Sequence, residues 1–339
     1  MSSVDVIVPC YRYGHYLEEC VQSVLSQEGV AVRVLILDDE SPDHTPEVCA
    51  KLSRDARVTA RRHAKNQGHI KTYNEGLEWA KADYVLLLSA DDYLLPGALA
   101  RAAALMDQHP EVGLVFGQCM EIAEDGSMRE ATTPAHAGMS ESSRVLSGED
   151  FIALSGVGNI VPTPTAIVRT ALQHTVGGYH AELPHTADLE MWLRLAAHSK
   201  VGVLRDFQAV YRRHANNMSL GYQKRNFLRD LHQRIAALEL FFEYGGRTRL
   251  DMARTQRGML AALGREAVQA ASGAFNESEF ELSREFIDFA IKVDPRIKWT
   301  RAWTRFQLKR AMGPRGWRAV RAAATGMRQL FAPVKQNAG

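Results

Sequence analysis

The sequence has few of the features that mark secreted, metal-stapled or membrane-spanning proteins. Its 339 residues include only 4 cysteines, which are far apart and form no C-x-x-C pair. A disulfide framework and a cysteine zinc site are therefore not expected, and we predict reduced thiols in a cytosolic core. No run of about 18 apolar residues occurs, so we expect no membrane-spanning helix. Residues 1–5 lack the basic and apolar pattern of a signal peptide, which indicates a cytoplasmic protein.

The chain also lacks a large net charge, but its charges are unevenly distributed. The formal total is +2, and residues 292–339 contain twelve Lys or Arg and a single acid, Asp294. This segment therefore carries about +11, and the remaining residues about −9. Hydrophobic residues make up 46% and charged residues 24% of the chain, which is typical of a globular protein and excludes a disordered one.

The first third of the chain alternates short apolar runs with amphipathic stretches. Strands are predicted at 4–9, 32–37, 57–60, 84–88 and 112–116, and helices at 15–27, from about 45, at 70–80 and at 96–109. This order predicts an α/β fold, a mostly parallel sheet with helices on both faces. Polar residues cluster after three of the strands. Because ligands in open α/β sheets bind at the carboxyl ends of strands, we predict a site there.

The rest of the chain has a different organisation. Residues 121–144 are polar without periodicity and predict a long surface loop. Short helices and strands are predicted at 147–154, 164–168, 188–197, 201–204 and 209–211, and the pattern is helical from about residue 219. We therefore predict two domains, a catalytic domain at 1–220 and an all-helical C-terminal region at 221–339 with a basic amphipathic tail.

The polar clusters form an ordered series of motifs. In chain order they read VIVPCY, ILDDESPDHT, NQG with NEG, LLSADDY, GGY, ADLEMWLR and YRRH. This series resembles glycosyltransferase family 2 over about residues 1–220. The resemblance implies a GT-A, Rossmann-like fold and an inverting, metal-dependent transfer from a nucleotide-diphosphate sugar, with UDP as the default, to a hydroxyl. It also implies a glycan or lipid-linked acceptor, in the assembly of bacterial surface polysaccharide or glycolipid.

Asp91 and Asp92 follow the most apolar predicted strand. A departing nucleoside diphosphate develops negative charge, which a divalent cation held by carboxylates neutralises. Hard oxygen ligands select Mn²⁺ or Mg²⁺. The resemblance implies that Asp92 and His214 bind this metal and that Asp91 contacts a ribose hydroxyl, although Ala90 here precedes a D-D pair where the family often has D-x-D. The alternative is that the two acids only cap a helix.

The resemblance also assigns a set of residues to nucleotide-sugar binding, namely Pro9, Tyr11, Asp39, Asn66, Gly68, Lys71 and Asp91. Pro9 and Tyr11 are expected to line the nucleobase slot, and Asp39 to accept a hydrogen bond from the base or to contact the ribose. The alternatives are structural, because Asp is common in turns and Asn with Gly is common at a helix N-terminus.

An inverting transfer needs a base that takes the proton of the acceptor hydroxyl. The resemblance places this base at Asp188. Ala187 stands where relatives have Glu, and Glu190 is the reserve candidate. Asp188 also fits the position of a helix N-cap, so both roles stay open. His185 is a candidate for the acceptor side, and Arg212 or Arg213 for a phosphate contact.

The C-terminal tail contains two basic amphipathic stretches. One carries Trp299, Trp303 and Phe306, and the other begins at Trp317 after the Gly313-Pro314 pair. Such helices bind anionic membrane interfaces, which would place the protein peripherally on the cytoplasmic face of the inner membrane. The alternatives are packing on the acidic catalytic domain or a homodimer interface. No motif supports binding of nucleic acid.

Two other functions are compatible with an α/β fold. A sugar-nucleotide nucleotidyltransferase would need a Gly-rich, basic loop after the first strand, where this chain has PCYR. A non-catalytic scaffold that assembles partners through its helical tail is the alternative from outside the enzymes.

Overall fold

The computed structural model describes residues 1–215, 217, 226–244 and 251–330. In the last of these segments, side chains are described for residues 251–313, 316 and 317. The chain forms two compact units, Met1–Thr255 and Gln256–Gly339. The first unit continues beyond the domain boundary predicted at residue 220, because helix Phe227–Tyr244 packs against helix Ala187–Ala196. The assignment of the catalytic domain to residues 1–220 stays a prediction.

One ten-stranded sheet organises the first unit. Its strands are β1 Ser3–Cys10, β2 Ala31–Asp38, β3 Val58–Arg62, β4 Tyr84–Leu87, β5 Tyr93–Leu94, β6 Val112–Ala123, β7 Met128–Ala131, β8 Ser143–Leu146, β9 Ile167–Arg169 and β10 Lys200–Arg213. The order is β3-β2-β1-β4-β9-β6-β10-β5, with β7 beside β6 and β8 beside β10. Strands β3, β2, β1 and β4 run parallel, as do β6 and β10, and β9 is antiparallel to both of its neighbours.

Helices flank the sheet, and the described elements after β10 are all helical. They are α1 Gly14–Leu25, α2 Thr45–Leu52, α3 His69–Trp79, α4 Ala98–Gln108, α5 Gly148–Ser155, α6 Thr170–Val176, α7 Ala187–Ala196, α8 Phe227–Tyr244, α9 Met252–Asn276, α10 Phe280–Val293 and α11 Arg301–Leu330. The predicted fold class, an α/β sheet with helices on both faces and a C-terminal run of helices, is confirmed.

The alternating side chains of β1 show why both faces of the sheet need helices. Val6 and Val8 belong to one buried cluster with Leu17 of α1. Ile7 points to the opposite face, where it contacts Gly76 of α3 so closely that a Cβ at this glycine would clash. Because successive side chains of a strand alternate, an almost continuously apolar strand must be covered on two sides.

The predicted surface loop at 121–144 is wrong. Strand β6 continues to Ala123 and forms a hairpin with β7, and β8 pairs with β10. The turn contains Asp125 and Gly126, and Gly126 has a φ of +79°, a conformation that glycine adopts without strain. An Asp-Gly pair is a hairpin signal that indicates this turn in the sequence. The two short strands predicted at 201–204 and 209–211 are one bulged strand, β10.

The second unit buries some of the described side chains of the predicted amphipathic tail. Phe306 and Trp317 are buried, and Phe306 contacts Phe275 of α9. The structure therefore favours packing inside the helical unit for these two side chains. Trp299, by contrast, is 90% exposed. The predicted break lies at Gly313, where the helix is kinked. Among the described residues, no helix combines the length and the apolar character that a membrane span requires.

Candidate functional site

A cavity of about 600 Å³ opens at the carboxyl ends of β1, β4 and β10, where the sequence predicts the site. Pro9, Asp91, Asp92 and Asp188 of the predicted catalytic, metal and nucleotide-binding residues line it, and so do two further candidates, His185 and Arg213. The others, Tyr11, Asp39, Asn66, Gly68, Lys71 and His214, are not among the lining residues. The structure therefore brings the two acids that follow β4 and the acid that opens α7 to one shared cavity.

Asp91 and Asp92 are both buried directly after β4. Asp92 Oδ1 accepts a hydrogen bond of 3.0 Å from the backbone N–H of Arg212, which ties it to β10. Asp91 Oδ2 lies 3.0 Å from His214 Nε2. Burial, together with the neighbouring charge of Asp91, raises the pKa of Asp92 well above its usual range. The two carboxylates thus form a site at which negative charge is costly unless a cation compensates it.

The chemistry of this pair fits a divalent cation. Asp91 Oδ1 is buried and has no hydrogen-bond partner among the described residues. The described part of the chain contains no cluster of three His, Cys, Asp or Glu side chains that could enclose a metal. Magnesium-type sites commonly use one or two carboxylates and complete their coordination with substrate phosphates and water. Asp91 and Asp92 match that arrangement.

His214 lies beside the acidic pair. Its backbone N–H donates a hydrogen bond to Asn217 Oδ1. Its ring contacts Tyr13 edge-to-face, with a centroid distance of 5.3 Å, and stacks on Tyr16 at 5.7 Å. Since Nε2 already contacts Asp91, His214 orients that carboxylate in this structure. Its role as a metal ligand stays a prediction.

Asp39 holds the loop that precedes α3. Its Oδ1 accepts a hydrogen bond of 2.7 Å from the backbone N–H of Gln67, and its Oδ2 one of 2.9 Å from that of Gly68. Asn66 Oδ1 also accepts a bond from Gly68, whose φ of +83° suits glycine. Lys71 is exposed on the first turn of the helix. The nucleotide contacts expected of these residues stay predictions, and the structure shows a loop-fixing role for Asp39.

The predicted nucleobase slot contains Tyr13 in addition to Pro9. Pro9, the penultimate residue of β1, lines the cavity, as does Tyr13, whereas Tyr11 is exposed with its ring beneath Arg12. Burial and the nearby acids raise the pKa of Tyr13 above its usual range. Tyr11 and Tyr13 lie two positions apart in the sequence. Only the path of the chain after β1 determines that Tyr13, and not Tyr11, lines the cavity.

Asp188 opens α7 and is half-buried on the cavity wall. Its Oδ2 accepts a hydrogen bond of 3.0 Å from Thr163 Oγ1. Burial raises the pKa of Asp188, and hydrogen bonds from Thr163 and Tyr179 oppose that rise. A half-buried carboxylate with a raised pKa is suited to accept a proton. The N-cap residue of α7 is Thr186, so the predicted capping alternative for Asp188 does not describe its contacts.

Glu190, the reserve candidate, has a structural role. It is fully buried and forms two hydrogen bonds, of 2.8 and 2.7 Å, with the guanidinium of Arg194. Arg194 in turn donates to the backbone carbonyls of Val176 and Gly178. Glu190 does not line the cavity.

Several lining residues were not predicted from the sequence. Glu121 of β6 forms a bidentate pair with Arg213 of β10, at 2.7 and 2.8 Å. Arg213 thus lines the cavity, whereas Arg212 pairs with Glu19 and stacks over Tyr16. Glu121 was missed because it was assigned to a loop.

A second unpredicted group comes from α8. Asp230 lies 3.0 Å from His185 Nε2 and accepts a hydrogen bond of 2.8 Å from Arg234, and all three line the cavity. The spacing of Asp230 and Arg234 predicts an ion pair on one helix face. It does not predict which site that face covers, so only the fold reveals this contribution.

Comparison with known proteins decides the family. The model of Glycosyl transferase family 2 matches residues 5–174, which is half of the chain. The chain belongs to Glycosyl transferase family 2. The predicted family is thereby confirmed, and with it the enzyme class, a glycosyltransferase.

Curated relatives are similar to parts of this chain. An uncharacterized protein of Mycobacterium tuberculosis is 28% identical over 58% of this chain and 63% of its own length. The GalNAc(5)-diNAcBac-PP-undecaprenol beta-1,3-glucosyltransferase of Campylobacter jejuni is 32% identical over 38% of this chain and 41% of its own. This glycosyltransferase thus spans less than two thirds of either relative.

Two crystal structures of S. aureus TarS 1-349, one with UDP and one with UDP-GlcNAc, share the fold with a TM-score of 0.64. The first is 18% identical and covers 96% of this chain and 91% of TarS 1-349. The similarity in fold to TarS 1-349 therefore extends beyond residues 5–174, which the family model matches.

Proposed function

We propose that this glycosyltransferase moves a sugar from a nucleotide-diphosphate donor to an acceptor hydroxyl by a single inverting displacement. The observation that carries the proposal is the shared cavity, which Asp91, Asp92 and Asp188 line together. A cation site and a proton acceptor are the two groups that such a reaction needs, and they must lie on one cleft.

Asp91 and Asp92 are the proposed holders of a divalent cation, Mn²⁺ or Mg²⁺. A bound cation would neutralise the charge that develops on the departing diphosphate. The protein's own contribution is to hold two buried carboxylates together, with Asp92 tied to β10 through the backbone N–H of Arg212 and Asp91 beside His214. The buried Asp91 Oδ1, which has no hydrogen-bond partner among the described residues, supports this role.

Asp188 is the proposed general base. Its carboxylate takes the proton of the acceptor hydroxyl while that oxygen forms a bond to the anomeric carbon. The bond from this carbon to the diphosphate oxygen breaks, and its electron pair leaves with the diphosphate. An Asp with a raised pKa accepts the proton more readily than an exposed one, and burial raises the pKa of Asp188.

The donor and the acceptor are proposed by analogy with the relatives. TarS was solved with UDP and UDP-GlcNAc, so UDP-GlcNAc is the first donor to test. The name of the C. jejuni relative contains an undecaprenol-linked diphosphate, which supports a lipid-linked or glycan acceptor in surface polysaccharide assembly. An anionic membrane surface is the proposed partner of residues 292–339. This partner is supported by exposed Trp299 between exposed Lys298 and Arg301.

The test is release of UDP from UDP-sugars, UDP-GlcNAc first, with Mn²⁺ and membrane extract as the acceptor source. We expect Asp92→Asn to lower turnover by about 10²-fold or more and Asp188→Asn by about 10²- to 10⁴-fold. The matched control is Asp206→Asn, an exposed acid outside the cavity, which should keep the parental rate. Parental turnover in both cavity variants would overturn the mechanism, and a complete lack of nucleotide binding would favour the scaffold alternative.

A further inference from the structure

Thr163 is a cavity residue that the proposed mechanism has not used. Its Oγ1 donates the 3.0 Å hydrogen bond to Asp188 Oδ2 described above. Thr163 is therefore in direct contact with the proposed base while lying on a different element, the short turn between α5 and β9. A donor in this position fixes one carboxylate oxygen of Asp188 from a segment other than α7.

The turn that carries Thr163 is held firmly. Pro162 and Pro164 flank it, and each proline ring fixes its own φ. Thr165 is buried, donates a hydrogen bond of 2.8 Å to the carbonyl of Pro162 and accepts one of 3.3 Å from the N–H of Gly117 in β6. The position of the Thr163 hydroxyl is thus set by the sheet and not by α7, so the bond to Asp188 links two independent elements.

We propose that Thr163 is the positioning residue of the base, and that its hydroxyl orients the Asp188 carboxylate for proton transfer. This inference rests on the proposed function. Hydrogen bonding to the ionised form of a carboxyl favours that form, which opposes the effect of burial. Removing the Thr163 hydroxyl should therefore make Asp188 harder to ionise and less well oriented.

Several other titratable or charged groups surround Asp188. His69 of α3 and Tyr179 and His185 of the segment before α7 also favour its ionised form. Tyr73 of α3 lies close to it as well, and Asp230 with Arg234 of α8 lies behind His185. Burial raises the pKa of Asp188, and Thr163 opposes this rise more than His69, Tyr179 or His185 does. The effect of Thr163 should for this reason be visible while those groups stay in place.

The direct test is an NMR titration of protein carrying ¹³Cγ-labelled Asp, in which Asp188→Asn identifies the Asp188 resonance. In Thr163→Val, which removes only the hydroxyl from a side chain of similar shape, the titration of Asp188 should move up by about one pH unit. Thr163→Ala should shift it in the same direction. Thr163→Ser, which keeps the hydroxyl, should restore the parental midpoint.

The matched control is Thr175→Val. Thr175 is exposed on α6 and donates to the carbonyl of Ala171, so this variant should titrate as the parent does. In the UDP-release assay, the acid limb of the pH–rate profile of Thr163→Val should move to higher pH together with the Asp188 midpoint. An unchanged Asp188 midpoint in both Thr163→Val and Thr163→Ala would overturn the inference.

The failure of this inference can be told apart from failure of the proposed function. The titration needs neither donor nor acceptor and reports only on the contact between Thr163 and Asp188. Turnover of Asp188→Asn reports on the base. If Asp188→Asn is inactive and the Asp188 midpoint does not move in the Thr163 variants, only the positioning role of Thr163 is rejected. If Asp188→Asn is active, the role of Asp188 as the general base is rejected.

Discussion

At the scale of single residues, buried charges in this protein fall into two groups. Asp91 and Asp92 are buried on a cavity wall, and one carboxylate oxygen has no hydrogen-bond partner among the described residues. Glu190 is buried as deeply but is fully paired with Arg194. A paired buried charge is compensated by its partner, whereas an incompletely paired charge beside a cavity indicates a ligand that completes it.

The Glu190–Arg194 pair gives the prediction at this scale. Glu190→Gln should lower the free energy of unfolding by about 3 kcal/mol, because Arg194 would stay buried without a compensating charge. Urea denaturation measures this difference. Glu78→Gln, an exposed glutamate on α3, is the control and should change stability by less than about 0.5 kcal/mol. Equal stability of the two variants would show that the buried pair is not stabilising.

The identity of the acids could be predicted from the sequence, but their contacts could not. Asp91, Asp92 and Asp188 were predicted as site residues from ordered motifs, and the cavity brings them together. Asp39 was predicted at the nucleotide, yet it fixes the loop before α3. A motif specifies which residue types follow a strand, whereas the partner of each carboxylate depends on where distant backbone N–H groups lie.

At the scale of elements, His63 connects β3, β2 and α3. Its Nδ1 lies 2.7 Å from Asp39 Oδ1, and its Nε2 lies 2.9 Å from Glu75 Oε2. Burial lowers the pKa of His63, but the hydrogen bonds to both carboxylates outweigh it, so the pKa is raised overall. The folded protein therefore binds this proton more tightly than the unfolded chain does.

The resulting pH dependence is the prediction for this group of elements. The stability that protonated His63 provides is fully present below the ordinary histidine pKa of about 6.5 and is lost as pH rises through the raised value. Urea denaturation should show a larger loss of unfolding free energy between about pH 6 and about pH 8 in the parent than in His63→Gln. An identical pH dependence in the two proteins would contradict the proposed proton-linked contact.

The same scale explains where sequence reasoning failed. Short apolar runs that alternate with amphipathic stretches predicted β1, β2, β4 and the helices between them. The runs are apolar almost throughout because these strands are buried on both faces. The hairpin of β6 and β7 is more exposed and polar, so its periodicity is weak. Its Asp125-Gly126 turn was the available signal. Weakly buried strands are defined by pairing with their neighbours, which a single sequence shows poorly.

At the scale of the whole molecule, the site is assembled within one compact unit. Among the described residues, those that line the cavity lie between Pro9 and Arg234, and the unit extends to Thr255. Helix α8 lies outside the matched residues 5–174 of the family, yet it supplies Asp230 and Arg234 to the wall. The matched residues therefore include Asp91 and Asp92, whereas later parts of the unit supply Asp188, Asp230 and Arg234 to the wall.

The central claim is that Asp91 and Asp92 bind a nucleoside diphosphate through a divalent cation. Isothermal titration calorimetry of the full chain with UDP tests it most directly, in Mn²⁺ and again in EDTA, for the parent, Asp91→Asn, Asp92→Asn and the exposed control Asp206→Asn. We predict that Mn²⁺ strengthens UDP binding at least about tenfold, or about 1.4 kcal/mol, in the parent and in Asp206→Asn, and that both cavity variants lose this gain. Equal UDP affinity with Mn²⁺ and with EDTA in the parent, or an unchanged metal effect in Asp91→Asn and Asp92→Asn, would contradict the account.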